Sequence, residues 1–232
     1  MTRKLVKNYT SSVLFTADGS IRVPHDEKMD ATSSLTICAR VKSRQKADGC
    51  WRRILDKGNG DTIYELTTSN TANGSIPKMR VWIGGSEKNA LANNALKIAD
   101  WVDIVGRYDG SEVSIWIDGI KQTNVTAATG NIDISTDDLY IAASVDGSNA
   151  AERWNGGISD VRIYTRALTD AEILNLHNNI EPPTNNLVGW WKLEELVGTT
   201  VNDYSGNNLN GTRTNGSIST TDVPMKKRSA IS

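Results

Sequence analysis

Carboxylates, histidines and tryptophans are the residues of this chain with chemistry to offer, and their spacing separates what they can do from what they cannot. Hydrolysis of a glycosidic bond needs two carboxylates flanking it, about 5.5 Å apart for retention and further for inversion. On a strand that geometry places Asp or Glu at i and i+2 or i+4. The only i, i+2 pair is Asp170/Glu172, and it falls at the start of a predicted helix. The two histidines, His25 and His177, have no serine or cysteine nucleophile motif beside them. Both read as structural. Catalysis is not expected.

Seven Trp and six Tyr stand against a single Phe, Phe15. Trp and Tyr join an apolar body to a polar handle, which suits half-buried strands and sugar-facing surfaces. A sugar site stacks a pyranose on an aromatic face and fixes its hydroxyls with Asn, Asp or Arg. The candidates are Trp51 with Arg53, Trp82, Trp154 and Trp190; adjacent Trp190 and Trp191 on one strand must point to opposite faces. Outward tryptophans equally well cover loops or meet a subunit. No motif names a particular sugar.

At 232 residues, 38% apolar, 23% charged and net charge −1, the composition is that of a globular protein with no basic field for nucleic acid. No run approaches the ~20 apolar residues of a membrane span. The N-terminus, MTRKLVKNYTSSVLF, is basic without the apolar core of a secretory signal, so synthesis in the cytoplasm is expected. Five Asn-x-Ser/Thr sites (Asn8, Asn73, Asn124, Asn210, Asn215) read as chance in a chain rich in Asn and Thr. Cys38 and Cys50 fit free thiols or one bridge, and the missing signal favours free thiols. Both ends are polar arms, 1–11 with Arg3, Lys4 and Lys7, and 222–232 with Lys226, Lys227 and Arg228.

What must position these residues is a series of strands. Alternating segments at Val13–Phe15, Ile21–Val23, Leu35–Val41, Trp51–Leu55, Thr62–Thr67, Lys78–Ile83, Trp101–Tyr108, Glu112–Ile117, Leu139–Ala143, Gly157–Tyr164 and Leu187–Leu193 are broken by Asp18-Gly19, Gly58-Asn59-Gly60, Asn73-Gly74, Gly84-Gly85, Asp109-Gly110, Asp118-Gly119 and Asp146-Gly147. Asp-Gly and Asn-Gly tolerate the positive φ of tight hairpins. In the clearest hairpin, Val113, Ile115 and Ile117 share one face and Ser114 and Trp116 the other. The pattern predicts an all-β, two-sheet antiparallel jelly-roll sandwich with one short helix near 169–179. That helix opens on a capping box, Thr169 to Glu172, carries Ala171, Ile173, Leu174 and Leu176 as an apolar stripe, and cannot pass Pro182-Pro183.

Three blocks resemble the laminin-G-like jelly roll of the concanavalin A-like lectin/glucanase superfamily: WVDIVGRYDGSEVSIWIDGI (101–120), LYIAASVDGSNAAERWNGGISDVRIYTRALTDAEI (139–173) and NLVGWWKLEELVGTTVNDYSGNNLNG (186–211). A weaker match covers Ser12–Lys42. The third block resembles the family's opening strand, yet here it stands near the C-terminus. Too few residues follow Leu187 for a core of their own. One domain spanning 1–232 is therefore expected, with 187–213 completing the sandwich in its own chain or in a neighbouring subunit.

The resemblance implies a recognition surface and, in the turn DYSGNN, a structural calcium held by Asp203 and Asn207 with Glu195 as a third contributor; the alternative is that these side chains simply cap the turn. The superfamily includes glycoside hydrolases, but their Glu-x-Asp-x-Glu signature is absent. A lectin-type sandwich without an export signal is expected to be a non-catalytic recognition or structural protein on a virion surface, such as a bacteriophage decoration, fibre or tail protein. A free-standing carbohydrate-binding module and a degenerate glycoside hydrolase are the alternatives. The expected partners are other protein subunits, as a homo-oligomer or particle surface, and cell-surface glycans.

Overall fold

The computed structural model describes residues 12–16, 18–44, 50–58, 63–69, 75–144, 152–180, 183–195, 197–215 and 217–219. The polar arms, and the turn residues Asn59-Gly60, Asn73-Gly74 and Asp146-Gly147, lie outside them. The strands in chain order are β1 (Ser12–Phe15), β2 (Ser20–Val23), β3 (Leu35–Ser43), β4 (Arg52–Lys57), β5 (Tyr64–Thr68), β6 (Pro77–Ile83), β7 (Ser86–Leu91), β8 (Trp101–Tyr108), β9 (Glu112–Ile117), β10 (Ile120–Lys121), β11 (Thr126–Ala127), β12 (Leu139–Ile141), β13 (Gly156–Tyr164), β14 (Leu187–Trp191), β15 (Thr200–Val201), β16 (Gly211–Thr214) and β17 (Ser217–Ser219), with one α-helix, α1 (Asp170–His177).

All the ladders are antiparallel and make two sheets. The first runs β10-β9-β8-β3-β13-β1-β17, with β11 on β9 and β14 on β13; the second runs β15-β16-β2-β12-β4-β5-β6-β7. One edge of β13 is shared. Its first half pairs with β1 (Val13↔Ile158) and its second half with β14 (Arg162↔Trp190). A bulge separates the halves at Asp160, whose φ is +56°. From the same late stretch of chain, β16 joins β2 (Thr212↔Arg22).

The inward-facing residues of both sheets form the main core, including Ile37, Ala39, Val41, Leu66, Met79, Val81, Ile104, Val113, Ile115, Ile158, Ile163 and Trp191. At the ~25 cal/mol per Å² of buried apolar surface, this interior is the dominant favourable contribution to folding. A second, smaller core lies on the outer side of the first sheet, where Cys38, Val105, Trp116, Tyr164 and Leu187 meet Leu168 and Ile173 beneath α1. Trp116 belongs to this layer, on the opposite face of β9 from Val113 and Ile115.

The capping box is formed as the residues predict: Thr169 Oγ1 accepts the Glu172 amide at 3.2 Å, and Glu172 Oε2 accepts the Thr169 amide at 2.7 Å. The stripe is narrower than expected. Ile173 is buried and Leu176 half-buried, but Ala171 and Leu174 face solvent, because eight residues give the helix only about two turns. Asp118 (φ +50°) and Gly119 (φ +77°) make a left-handed two-residue turn, matching the twist of the β9–β10 hairpin. Two strands end earlier than predicted because a non-glycine residue turns left-handed: Ala142 (φ +69°) after β12 and Leu193 (φ +59°) after β14.

Candidate functional site

Along β6, Met79 and Val81 enter the core, so Lys78, Arg80 and Trp82 stand on the outer face of the second sheet. Register carries this face across four strands in one row, Asp56↔Glu65↔Arg80↔Asn89. Arg80 donates to Glu65 Oε2 at 2.7 Å and to Glu87 Oε2 at 2.6 Å. Lys78 and Asn89 both donate to Glu87 Oε1, at 2.8 and 2.9 Å. Burial raises the Glu87 pKa, but Arg80 and Lys78 together hold it down to about 2. Glu87 is therefore an anion throughout the physiological range.

Three of the sequence candidates meet here. The Arg80 guanidinium carbon lies 4.5 Å from the Trp82 ring centroid and 5.2 Å from that of Trp51, and Lys78 Nζ is 4.9 Å from Trp51. Cations at this range hold indoles by their ring faces. Trp51 and Trp82 are both half-buried. Arg53 is also on this face, but its guanidinium is ion-paired with Glu65 and with Glu152 at 2.8 Å. It braces the platform rather than reaching outward.

The row contains a carboxylate pair that spacing along one strand does not reveal: Asp56 and Glu65 are cross-strand neighbours. Directly opposed residues bring their Cβ atoms to about 5 Å. Only pairing register discloses such a pair. Glu65 is fully buried and takes a guanidinium on each oxygen, from Arg53 and Arg80, so it cannot meet a glycosidic oxygen.

The remaining sugar candidates lie elsewhere. Trp154 is a correction: it is 1% exposed in the main core, with its indole N–H donated to the Gly157 carbonyl at 3.2 Å, so it presents no stacking face. Trp190 is half-buried on the outer side of the first sheet, with its indole N–H on Asp160 at 2.7 Å.

Between that sheet and α1, a small pocket is lined by Cys38, Arg40, Asp103, Asp160, Arg162 and His177 among others. Asp103, Asp118 and His177 place ligand-type atoms within 4.8 Å of one another. The donor set does not suit a metal. Arg40 grips both Asp103 oxygens at 2.5 Å, and His177 Nδ1 sits 2.6 Å from Oδ2, so a guanidinium already occupies the cation's place. Burial raises the Asp103 pKa, and the His177 and Arg40 hydrogen bonds reverse that to a net lowering. His177 thereby latches the helix end to the sheet. No disulfide joins Cys38 and Cys50, and burial pushes Cys38 up to about 12, leaving it an inert thiol. His25 Nδ1 lies 3.2 Å from the buried Lys57 ammonium, which also donates to the Ser135 and Asp137 carbonyls at 2.8 and 2.9 Å.

Nor does the DYSGNN turn fit calcium. Asp203 Oδ1 accepts the Trp190 and Ser205 amides at 2.9 and 2.8 Å; Oδ2 accepts Ser205 Oγ and the Leu209 amide at 2.7 and 3.0 Å. A carboxylate has about four lone-pair sites, and all four face protein donors. Asn207 turns its amide N–H toward the Leu187 and Val188 carbonyls at 3.1 and 2.9 Å, and Glu195 Oε1 accepts two Asn202 N–H groups at 2.9 and 3.2 Å. Asp203 and Asn207 latch the turn to β14, and Glu195 holds Asn202 beside it.

A family model described as the concanavalin A-like lectin/glucanases superfamily matches residues 15–174. A curated relative, usherin of Mus musculus, is 23% identical over 190 residues, which are 75% of this chain but only 3% of usherin's length. Among solved structures, a Bacteroides ovatus ATCC 8483 protein named for carbohydrate binding superposes with a TM-score of 0.72 at 20% identity, covering 93% of this chain and 60% of that one. The CBM40 domain of the Ruminococcus gnavus IT-sialidase, solved bound to α2,3-sialyllactose, superposes with a TM-score of 0.55 at 14% identity, covering 76% and 97%.

Proposed function

Since the chain belongs to the concanavalin A-like lectin/glucanases superfamily, we propose that it is a non-catalytic carbohydrate-binding sandwich whose sugar platform is the outer face of the second sheet. One observation carries the reading: Arg80 lies against both Trp51 and Trp82 and is itself fixed by Glu65 and Glu87. Two half-buried indoles held in place by a charged framework lose little side-chain freedom when a sugar stacks on them. The carbohydrate-binding names of the structural neighbours support the same reading. The non-catalytic part rests on the one cross-strand carboxylate pair of the face among the described residues, in which Glu65 is clamped by two arginines.

Display on a virion or other particle surface, with further copies of the chain as partners, is a second layer of the proposal; imaging the native assembly tests it. The platform is tested on an array of neutral and acidic oligosaccharides. Wild type is expected to bind at least one class, and Trp82→Ala to lose it without loss of folding. Retention by both Trp51→Ala and Trp82→Ala would move the site elsewhere.

A further inference from the structure

Trp190 and Tyr204 form a two-walled aromatic corner on the outer side of the first sheet, and we propose that it is a binding site for an organic ammonium cation, with a trimethylammonium group as its preferred occupant. The corner lies on the opposite sheet from the sugar platform and does not depend on it.

The walls are fixed relative to each other. Their ring centroids are 6.3 Å apart and the planes meet at 62°. Tyr204 donates its amide to the Trp190 carbonyl at 2.8 Å, and Asp203 takes the Trp190 amide at 2.9 Å. The Trp190 indole N–H is held by Asp160 at 2.7 Å. Arg162 also contacts Trp190, 4.5 Å from its centroid, but Asp160 balances its charge through hydrogen bonds of 2.9 and 2.8 Å. This corner therefore exists before any ligand arrives.

The protein's own side chain reveals what the corner prefers. Lys192 Nζ lies 4.8 Å from the Trp190 centroid and 4.0 Å from that of Tyr204, both within cation–π range. Among the described residues no carboxylate lies within ion-pair distance of this ammonium. The surroundings are nonetheless acidic: after burial, Glu195 and then Glu194 are the charges that push the Tyr204 phenol up. Glu195 Oε2 is buried with no hydrogen-bond donor among the described residues. Both carboxylates act on the Tyr204 wall, so the field at that ring favours a positive charge. A primary ammonium must give up strong hydration to sit on a ring face. A trimethylammonium group, weakly hydrated and with methyl surface for both walls, gives up less. Tyr204 is 44% exposed, so the corner opens to solvent. The group occurs on choline headgroups and on trimethylated lysine, and the shared chemistry is what the corner reads.

The test follows the full chain by indole and tyrosine NMR signals during titration with tetramethylammonium, choline or trimethyl-lysine at constant ionic strength. The uncharged isostere 3,3-dimethylbutanol and sodium chloride serve as controls. Saturable shifts at Trp190 and Tyr204 are expected with the three ammonium compounds only, and the tighter of choline and trimethyl-lysine identifies the source. Lys192→Ala removes the internal competitor and is expected to tighten binding about two- to fivefold. Tyr204→Leu is expected to abolish it with an unchanged melting curve. The proposal is overturned by no saturable shift in wild type and Lys192→Ala, by equal binding of the isostere, by shifts confined to other residues, or by binding that survives Tyr204→Leu.

Discussion

The Asp203 carboxylate accepts the backbone amide of Trp190 at 2.9 Å, tying a turn of the late chain to the strand that lies along β13. The same carboxylate takes three more donors, from Ser205 and Leu209. Removing it leaves the part-buried N–H groups of Trp190, Ser205 and Leu209 without their acceptor. Asp203→Ala is expected to cost at least about 2 kcal/mol, or about 4–8 °C in Tm for a chain of this size. Calorimetry in calcium and in chelator should give the same loss. A calcium-dependent rise in wild type that disappears in the variant would restore the ion.

The helix is held by a small core of its own. Ile173→Ala removes its one fully buried helical side chain and is expected to cost about 2–4 kcal/mol. Hydrogen exchange should show the loss concentrated in 169–179, with the amides of β4–β6 still protected.

Acid should weaken the fold through two glutamates. Glu87, between Arg80 and Lys78, is held at about 2, as is Glu172, first by Arg166 and then by the Thr169 hydrogen bonds that work against burial. Folded pKa values below the usual 4.5 mean that the unfolded chain takes up protons first on acidification. This stabilisation is complete above 4.5 and lost as the pH falls toward 2. Thermal melts across that window should show Tm falling steeply in wild type and less steeply in Glu87→Gln and Glu172→Gln.

At Gly156 the backbone φ is +145°, and a Cβ there would overlap the Lys42 carbonyl across the β13–β3 ladder. Neither strand can withdraw without breaking its pairing. Gly156→Ala should cost more than about 2 kcal/mol, read as a lower urea midpoint at unchanged m.

Much of this architecture was legible because the alternation was strong. Trp101–Tyr108 and Glu112–Ile117 have the bounds that their residues predict. Strand β7 is not legible in its residues: Ser-Glu-Lys-Asn-Ala-Leu sends only Ala90 fully into the interior, so a polar edge strand carries no period-2 signal. The site was less legible than the fold. Trp51 and Trp82 were nameable by type, but their shared partner Arg80 emerges only when β6 is laid in the sheet. The burial of Trp154 is not legible, because nothing local distinguishes an indole beneath a loop from one above it. The Asp56–Glu65 pair is invisible until β4 and β5 are set in register.

The central claim is that the two indoles around Arg80 receive a sugar. Isothermal titration with the best oligosaccharide from the array tests it most directly. Loss of one stacking ring should weaken binding about tenfold or more in Trp82→Ala, with a similar loss in Trp51→Ala and native melting curves for both. Unchanged affinity in both folded variants would contradict the account.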